Sequence, residues 1–157
     1  MTFRTIAAGA IAGAAGEIAL NAVSYTDMLV RARPSSQMPG KVAERLAGAV
    51  NVDFAQPGER PDKATIRQEA SGALLGYGMA IGTAVAYAMV RRAGLRLPVP
   101  VAGLLMGGAA MAVSDSVATA LGVTDPTEWG VSGWLSDVVP HAAYGVVAAA
   151  TIELIDR

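Results

Sequence analysis

A few side chains able to carry charge, protons or hydrogen bonds stand inside stretches otherwise almost free of polar residues. They are Glu17, Asn21 and Tyr25 in a first apolar run, Asp115 in a third, and Asp137, His141 and Tyr144 in a fourth. A charge at the centre of a lone membrane helix costs roughly 2.5–3.5 kcal/mol even on insertion scales, so something must repay it. Glu17 and Asn21 extend a row begun by Gly9 and Gly13 at i to i+4 spacing. One helix face therefore presents a carboxyl beside a surface smooth enough for close packing. Asp137, His141 and Tyr144 make a second polar ridge on the fourth run.

Two kinds of chemistry fit such a set. The groups either hold helices together by mutual hydrogen bonds, or line a vestibule that exchanges protons, ions or a small solute. Depth brings them together in either case. Asn21 and Asp115 each fall about two-thirds along their runs, and His141 about one-third along a run of opposite direction, which places all three in one layer. Tyr25 and Asp137 fall nearer the surface and Glu17 deeper. Pro140 removes a backbone donor and leaves the carbonyl of Ser136 free to face a polar space.

Other chemistries find less support. Asp137 and His141 at i, i+4 are two ligands without a compact partner motif, so no metal and no cofactor are expected. Ser136, His141 and Asp115 contain the residue types of a hydrolytic triad, but nothing resembles a nucleophile elbow, and no enzymatic activity is expected. Gly76, Gly78 and Gly82 approach a dinucleotide fingerprint, with wrong spacing and no preceding strand. With no cysteine, thiolate and disulfide chemistry are absent. A net charge of −1 and no Lys/Arg stripe interleaved with aromatics argue against nucleic acid.

The elements that position these residues are long and apolar. Charged residues make up 16% of the chain and apolar ones 53%, whereas a soluble domain is about a quarter charged. Thr5 to Thr26, Ala70 to Val90, Leu97 to Thr124 and Trp129 to Ile152 hold only three charged residues, Glu17, Asp115 and Asp137. At about 1.5 Å per residue each window crosses a hydrocarbon core of roughly 30 Å. A soluble bundle would need a charged face at helical spacing, which these windows lack.

The pattern predicts an all-α, membrane-embedded four-helix bundle forming a single domain over 1–157. Its spans run over about 5–29, 66–91, 99–123 and 134–154, with a connector over 30–65. Arg4 before a run of small residues resembles a signal peptide, but the run continues past Glu17 and reads as a span. Arg33-Pro34 ends the first helix. In the connector, Pro39 opens a short interfacial helix with Val42, Leu46 and Val50 on one face and Lys41, Glu44 and Arg45 on the other. Trp129 and Trp134 are expected as headgroup-level anchors and Pro140 as a kink.

Small residues four apart mark faces for close helix contact: Gly9 and Gly13, Gly72 and Gly76, Gly78 and Gly82, Gly103 and Gly107. They serve packing within the chain, a homo-oligomer or a membrane-complex partner. Arg31, Arg33, Ser35 and Ser36 could hold a lipid phosphate, or form an ordinary charged helix flank. Laying the first run on the third matches Gly9, Gly13 and Asn21 with Gly103, Gly107 and Asp115. With Tyr77-Gly78 set against Tyr144-Gly145, the chain reads as two repeated helical hairpins.

Arg exceeds Lys ten to two beside abundant Ala and Gly, as in high-GC bacterial genomes. The turn at Arg91, Arg92 and Arg96, with Arg4 and Arg157, favours cytoplasmic termini, although the connector carries seven Lys/Arg from Arg31 to Arg67. The stretch Leu121-Gly122-Val123-Thr124-Asp125-Pro126, then Trp134 and Val139-Pro140-His141, resembles the YagU-like bacterial inner-membrane proteins. The glycine-rich first helix with its acidic residue, ending at Arg33-Pro34-Ser35, is similar too. The resemblance lies at the two ends of the chain and not in its middle. It implies a multi-pass inner-membrane protein in contact with the lipid bilayer and adds no catalytic residue.

On these grounds the sequence reads first as a non-enzymatic helix-packing or accessory membrane component. The alternative is a proton, ion or solute pathway through Glu17, Asp115, Asp137 and His141.

Overall fold

Polar residues gather at the ends of the apolar runs, and the helices extend into them. The computed structural model describes residues 2–156, and its elements are α1 (Thr2–Arg31), α2 (Met38–Ala49), α3 (Pro61–Arg92), α4 (Val99–Ala120) and α5 (Gly130–Ile155), with one 3-10 turn at Pro126–Glu128. α1, α3, α4 and α5 are each long and apolar enough to cross a membrane. The described chain is a helical bundle of a multi-pass membrane protein.

Helix ends follow local chemistry. α3 starts five residues before the expected position because Pro61 takes the first helical position after an extended Arg60, where its missing N–H costs nothing. α4 stops at Ala120, short of the expected Val123, because Gly122 adopts a left-handed φ of 66°. α5 begins at Gly130, ahead of Trp134, and runs unbroken through the buried Pro140. α1 closes on Ala32 at φ 50°, before Pro34.

α1 packs along α3 on one side and α5 on the other, and α5 packs along α1 and α4. α3 and α4 meet over a short stretch only. α2 lies against the first turns of α3 and touches α4. It docks through Gly40, Val42 and Ala43, while Leu46 and Val50 stay exposed, so its apolar face is divided between protein and surroundings.

The interior is built of small residues. Ala12, Ala80, Ala84, Ala88, Ala102, Ala148 and Ala149 fill it with Met106, Tyr144 and Ile152, while Ile11, Ile18, Leu74, Leu104, Leu105 and Leu135 face outward. In water such an arrangement would forgo most of the gain from apolar burial. In lipid the large side chains are solvated by acyl chains, and small ones let backbones meet.

Glycines set the closest approaches. A Cβ on Gly9 would stand 2.6 Å from Val85 Cα, and one on Gly13 2.5 Å from Ile81 Cα, so this ridge of α1 lies on α3. On α4, a Cβ on Gly103 would stand 2.7 Å from Val146 Cα, and one on Gly107 would strike the carbonyl of His141. Two further glycines, unmarked by four-residue spacing, are as tight. Gly16 faces the Tyr144 ring, and Gly145 faces the backbone of Gly103 and Gly107.

These contacts define two hairpins, α1 with α3 and α4 with α5, built in the same register. With Gly9 laid on Gly103, Val85 falls on Val146 and Ile81 on Ala142. The expected pairing of Tyr77-Gly78 with Tyr144-Gly145 is corrected, since this register sets Thr83-Ala84 opposite Tyr144-Gly145. Tyr144 is buried, whereas Tyr77 is 40% exposed. Gly78 and Gly82 pack against nothing in the described chain: a Cβ on either would meet nothing within 4 Å.

Candidate functional site

α1 brings Glu17 into the bundle one turn beyond the Gly13 contact. Glu17 is buried, and the Asn21 amide donates to its Oε1 at 3.2 Å. Gly76 on α3 makes the room, because a Cβ there would stand 3.3 Å from Glu17 Oε1. Gly76 thus serves a carboxylate and not a helix contact, unlike its neighbour Gly72, which receives Pro39 and Gly40 of α2.

α5 supplies the opposite wall. His141 Nδ1 lies 2.9 Å from the Asp137 carbonyl and 3.2 Å from Asp137 Oδ1. Both are acceptors, so Nδ1 carries the hydrogen and donates. Asp115 on α4 is buried and faces Asp137, with His141 within electrostatic range of both Asp115 and Glu17. Asp115 Oδ1 and Asp137 Oδ2 are each buried without a donor. Tyr144 lies deeper and donates to the Ala80 carbonyl at 2.7 Å, a cross-bundle bond from α5 to α3.

Of the polar residues singled out in the sequence, Glu17, Asn21, Asp115, Asp137, His141 and Tyr144 therefore gather in the bundle. Tyr25 does not. Two turns beyond Glu17 it has rotated away from the interior and is 62% exposed.

Toward the connector lies a polar rim centred on Asp27, a residue the sequence reading did not single out. Asp27 accepts from both Arg31 and Arg33, and Arg31 also donates to Ser132 and Ser136 of α5. The spacing Asp27/Arg31 was visible as an i, i+4 ion pair; the reach to α5 depends on tertiary packing. Of the two readings for these guanidiniums, a lipid-phosphate site or a charged helix flank, the contacts within the chain fit the flank: both pair with Asp27, and Arg31 also with the two serines. Ser35 is exposed, and Ser36 accepts from the Met38 N–H at 3.2 Å.

Outside the spans, Arg67 donates to Glu59 Oε2 at 2.6 Å and to the Phe54 carbonyl at 2.8 Å, tying the connector to the start of α3. The Arg67 guanidinium holds the Glu59 carboxyl below its usual range. Asp125 is likewise held low by the Thr127 hydroxyl and N–H, as a cap of the 3-10 turn. Trp129 and Trp134 rest 5.1 Å apart, and the Trp129 indole donates to Thr124 at 2.7 Å.

The far end is fastened differently. Arg91 is buried and pairs with Glu153 at 2.6 Å and Asp156 at 3.2 Å. Arg92 donates to Thr5 and Arg4 to the Ile155 carbonyl, both at 3.3 Å. In sequence Arg91 reads only as part of a basic turn. A cleft of about 440 Å³ lies there, lined by Arg91, Arg96, Leu97, Pro98, Val99 and Glu153. Another, of about 330 Å³, lies beside α2 among Lys41, Glu44, Arg45, Gln68, Gly122 and Val123. Neither lining includes a member of the buried cluster.

Among the described residues no three His, Asp or Glu side chains converge as a metal site. The groups present can accept, hold and pass protons, or contact a small polar solute. Compared with protein families, curated proteins and solved structures, the chain matches none.

Proposed function

We propose that this is a non-enzymatic membrane protein offering a pathway for protons, ions or a small solute, entered from the connector side. One observation carries the reading. The polar side chains that α1, α4 and α5 turn inward lie in the connector half of the bundle, and Ser136, next to Asp137 on α5, bonds to the Arg31–Asp27 rim. Glu17, Asp115, Asp137 and His141 are the residues in contact with what passes.

Reconstitution into liposomes with an imposed pH gradient tests it. Flux above that of empty liposomes is expected for the unaltered chain, with loss in Glu17→Gln, Asp115→Asn and His141→Ala. Equal flux in all four, or none in any, defeats the reading.

A second reading keeps the protein as an accessory component that assembles with itself or with a membrane complex. Gly9, Gly13, Gly103 and Gly107 are used up inside the fold, so assembly falls to the outward glycines of α3. Gly78 and Gly82 lie beside exposed Leu74 with nothing over them. Replacing both with Leu should abolish cross-linked oligomers in lipid, and an unchanged ladder would remove this reading.

The setting we propose is a bacterial inner membrane with the Arg91–Arg96 turn in the cytoplasm, supported by the arginines of that short turn. Kinship with the YagU-like proteins is part of the same proposal and rests on the residues quoted for it.

A further inference from the structure

The buried oxygens without donors say what the site holds. Asp115 is 8% exposed and its Oδ1 receives no hydrogen bond; Asp137, facing it from the next helix, keeps Oδ2 in the same condition. Two ionised carboxylates in that position are both acceptors, and each would retain a desolvated lone pair and a repelling neighbour. One proton removes both faults, because it turns one acceptor into a donor aimed at the other.

The surroundings decide which carboxyl carries it. His141 donates from Nδ1 toward Asp137 and so already supplies that carboxylate with a donor. From α4, Ser114 donates to the Met111 carbonyl at 2.9 Å and lies within hydrogen-bonding reach of Asp115. From α1, Glu17 lies within electrostatic range of His141 and accepts from the Asn21 amide. From α3 no charged side chain reaches the pair; Gly76 and Ala80 are the residues bordering Glu17 and Tyr144 there. Tyr144 has its hydrogen committed to Ala80. For a cation in place of the proton, no three His, Asp or Glu side chains converge as ligands among the described residues.

We propose that Asp115 and Asp137 hold a single exchangeable proton, carried on Asp115 and donated to the Asp137 carboxylate, with His141 bracing that carboxylate. The inference rests on the pathway reading and narrows its cargo to a proton. Loading forms one O–H bond on Asp115. Release breaks it, and the proton leaves toward the connector side past Ser136 and the Asp27 carboxylate.

Infrared spectroscopy of the full chain in phosphatidylcholine vesicles reads that O–H bond independently of any flux. A Glu17→Gln background removes the other deeply buried carboxyl. At neutral pH this protein should show a protonated-carboxyl C=O band that moves to lower frequency in D₂O. Adding Asp115→Asn should erase the band, and adding Asp137→Asn should keep it but shift it upward as the charged acceptor disappears.

A spectrum without that band, a band that survives Asp115→Asn, or one indifferent to Asp137→Asn overturns the assignment. So does a band erased by sodium, potassium, magnesium or calcium chloride at constant pH. The D₂O shift needs no substitution at either aspartate, so it stands even where those variants fold poorly. A band that behaves as stated in a protein giving no liposome flux would retain the proton and reject the pathway.

Discussion

In the half of the bundle next to the Arg91–Arg96 turn, the four long helices meet through Ala12, Ala84, Ala88, Ala102, Ala148 and Ile152, and the charged pairs sit at the rim. In the half next to the connector, three of the same helices carry Glu17, Asp115, Asp137 and His141 inward. Both halves are built from the same continuous helices, so what distinguishes them is the side chains turned inward. One is a dry seam closed by small residues. The other turns ionisable side chains inward and ends in the serines and the Asp27–Arg31 cluster of the rim. A site used from one side needs both: a place to hold the proton and a plug behind it.

The comparison breaks most readily at the glycines. Gly145 lies so close to Gly103 and Gly107 that a single added carbon overlaps their backbone, and no rotamer relieves that clash. Gly145→Leu should exceed the usual overpacking cost of about 1–3 kcal/mol and prevent folding. Gly78→Leu, on the outward face of α3, should stay within about 0.5 kcal/mol in a monomer. Denaturant titration of both variants in detergent micelles measures the contrast. Equal stability would mean that close backbone approach does not hold the α4–α5 hairpin.

Next in size is the fastening of the dry half. Arg91 is buried, while Glu153 and Asp156 remain a third or more exposed and can rehydrate once unpaired. Arg91→Met should therefore cost about 1–3 kcal/mol, below the loss expected when a charge is stranded in the interior. The same titration should show the turn half unfolding earlier, with fluorescence of Trp129 and Trp134, at the opposite end, changing last. Simultaneous loss at both ends would make the bundle one cooperative unit.

The spans were legible in sequence because lipid demands long stretches nearly free of charge, and Gly9, Gly13, Gly103 and Gly107 were legible because helix contact demands small residues in rows. Glu17 and Asp115 stood out for the opposite reason, as charges where charge is costly. The rest depends on what stands across from a residue. Gly72 and Gly76 share a row, yet one receives α2 and the other a carboxylate. Tyr25 and Tyr144 were both placed in the polar cluster, and only the rotation of each helix sends one outward and the other to the Ala80 carbonyl. Gly16, Gly145 and the Arg91 pairs carry no local signal, since their partners are distant in the chain.

Tyr144 marks the boundary between the halves. Tyr144→Phe removes one buried hydroxyl donor and leaves the Ala80 carbonyl without that bond, at a cost of about 1 kcal/mol. If the dry seam is held by packing, the variant should fold and keep its unfolding order. Faster proton leak through this variant in liposomes than through the unaltered chain would show that the hydroxyl, and not the alanine core, closes the site.

The smallest effect lies outside the membrane, at the mouth of the polar half. Glu59 is bound by Arg67, which also holds the Phe54 carbonyl, so this ion pair keeps the connector folded against the start of α3. Its carboxyl titrates below the unfolded value of 4.5 because the guanidinium favours the charged form. The stabilising contribution is thus complete above that value and disappears as pH falls through the lowered one. Acid should loosen residues 50–60 before it disturbs the spans, seen as faster amide exchange there in lipid nanodiscs. Glu59→Gln should show the looser connector already at neutral pH, with no further acid response in that segment. Arg91 and its partners, fastened at the other end, should keep their exchange protection throughout. If they loosen together with residues 50–60, the two ends are coupled through the bundle and the division into halves fails.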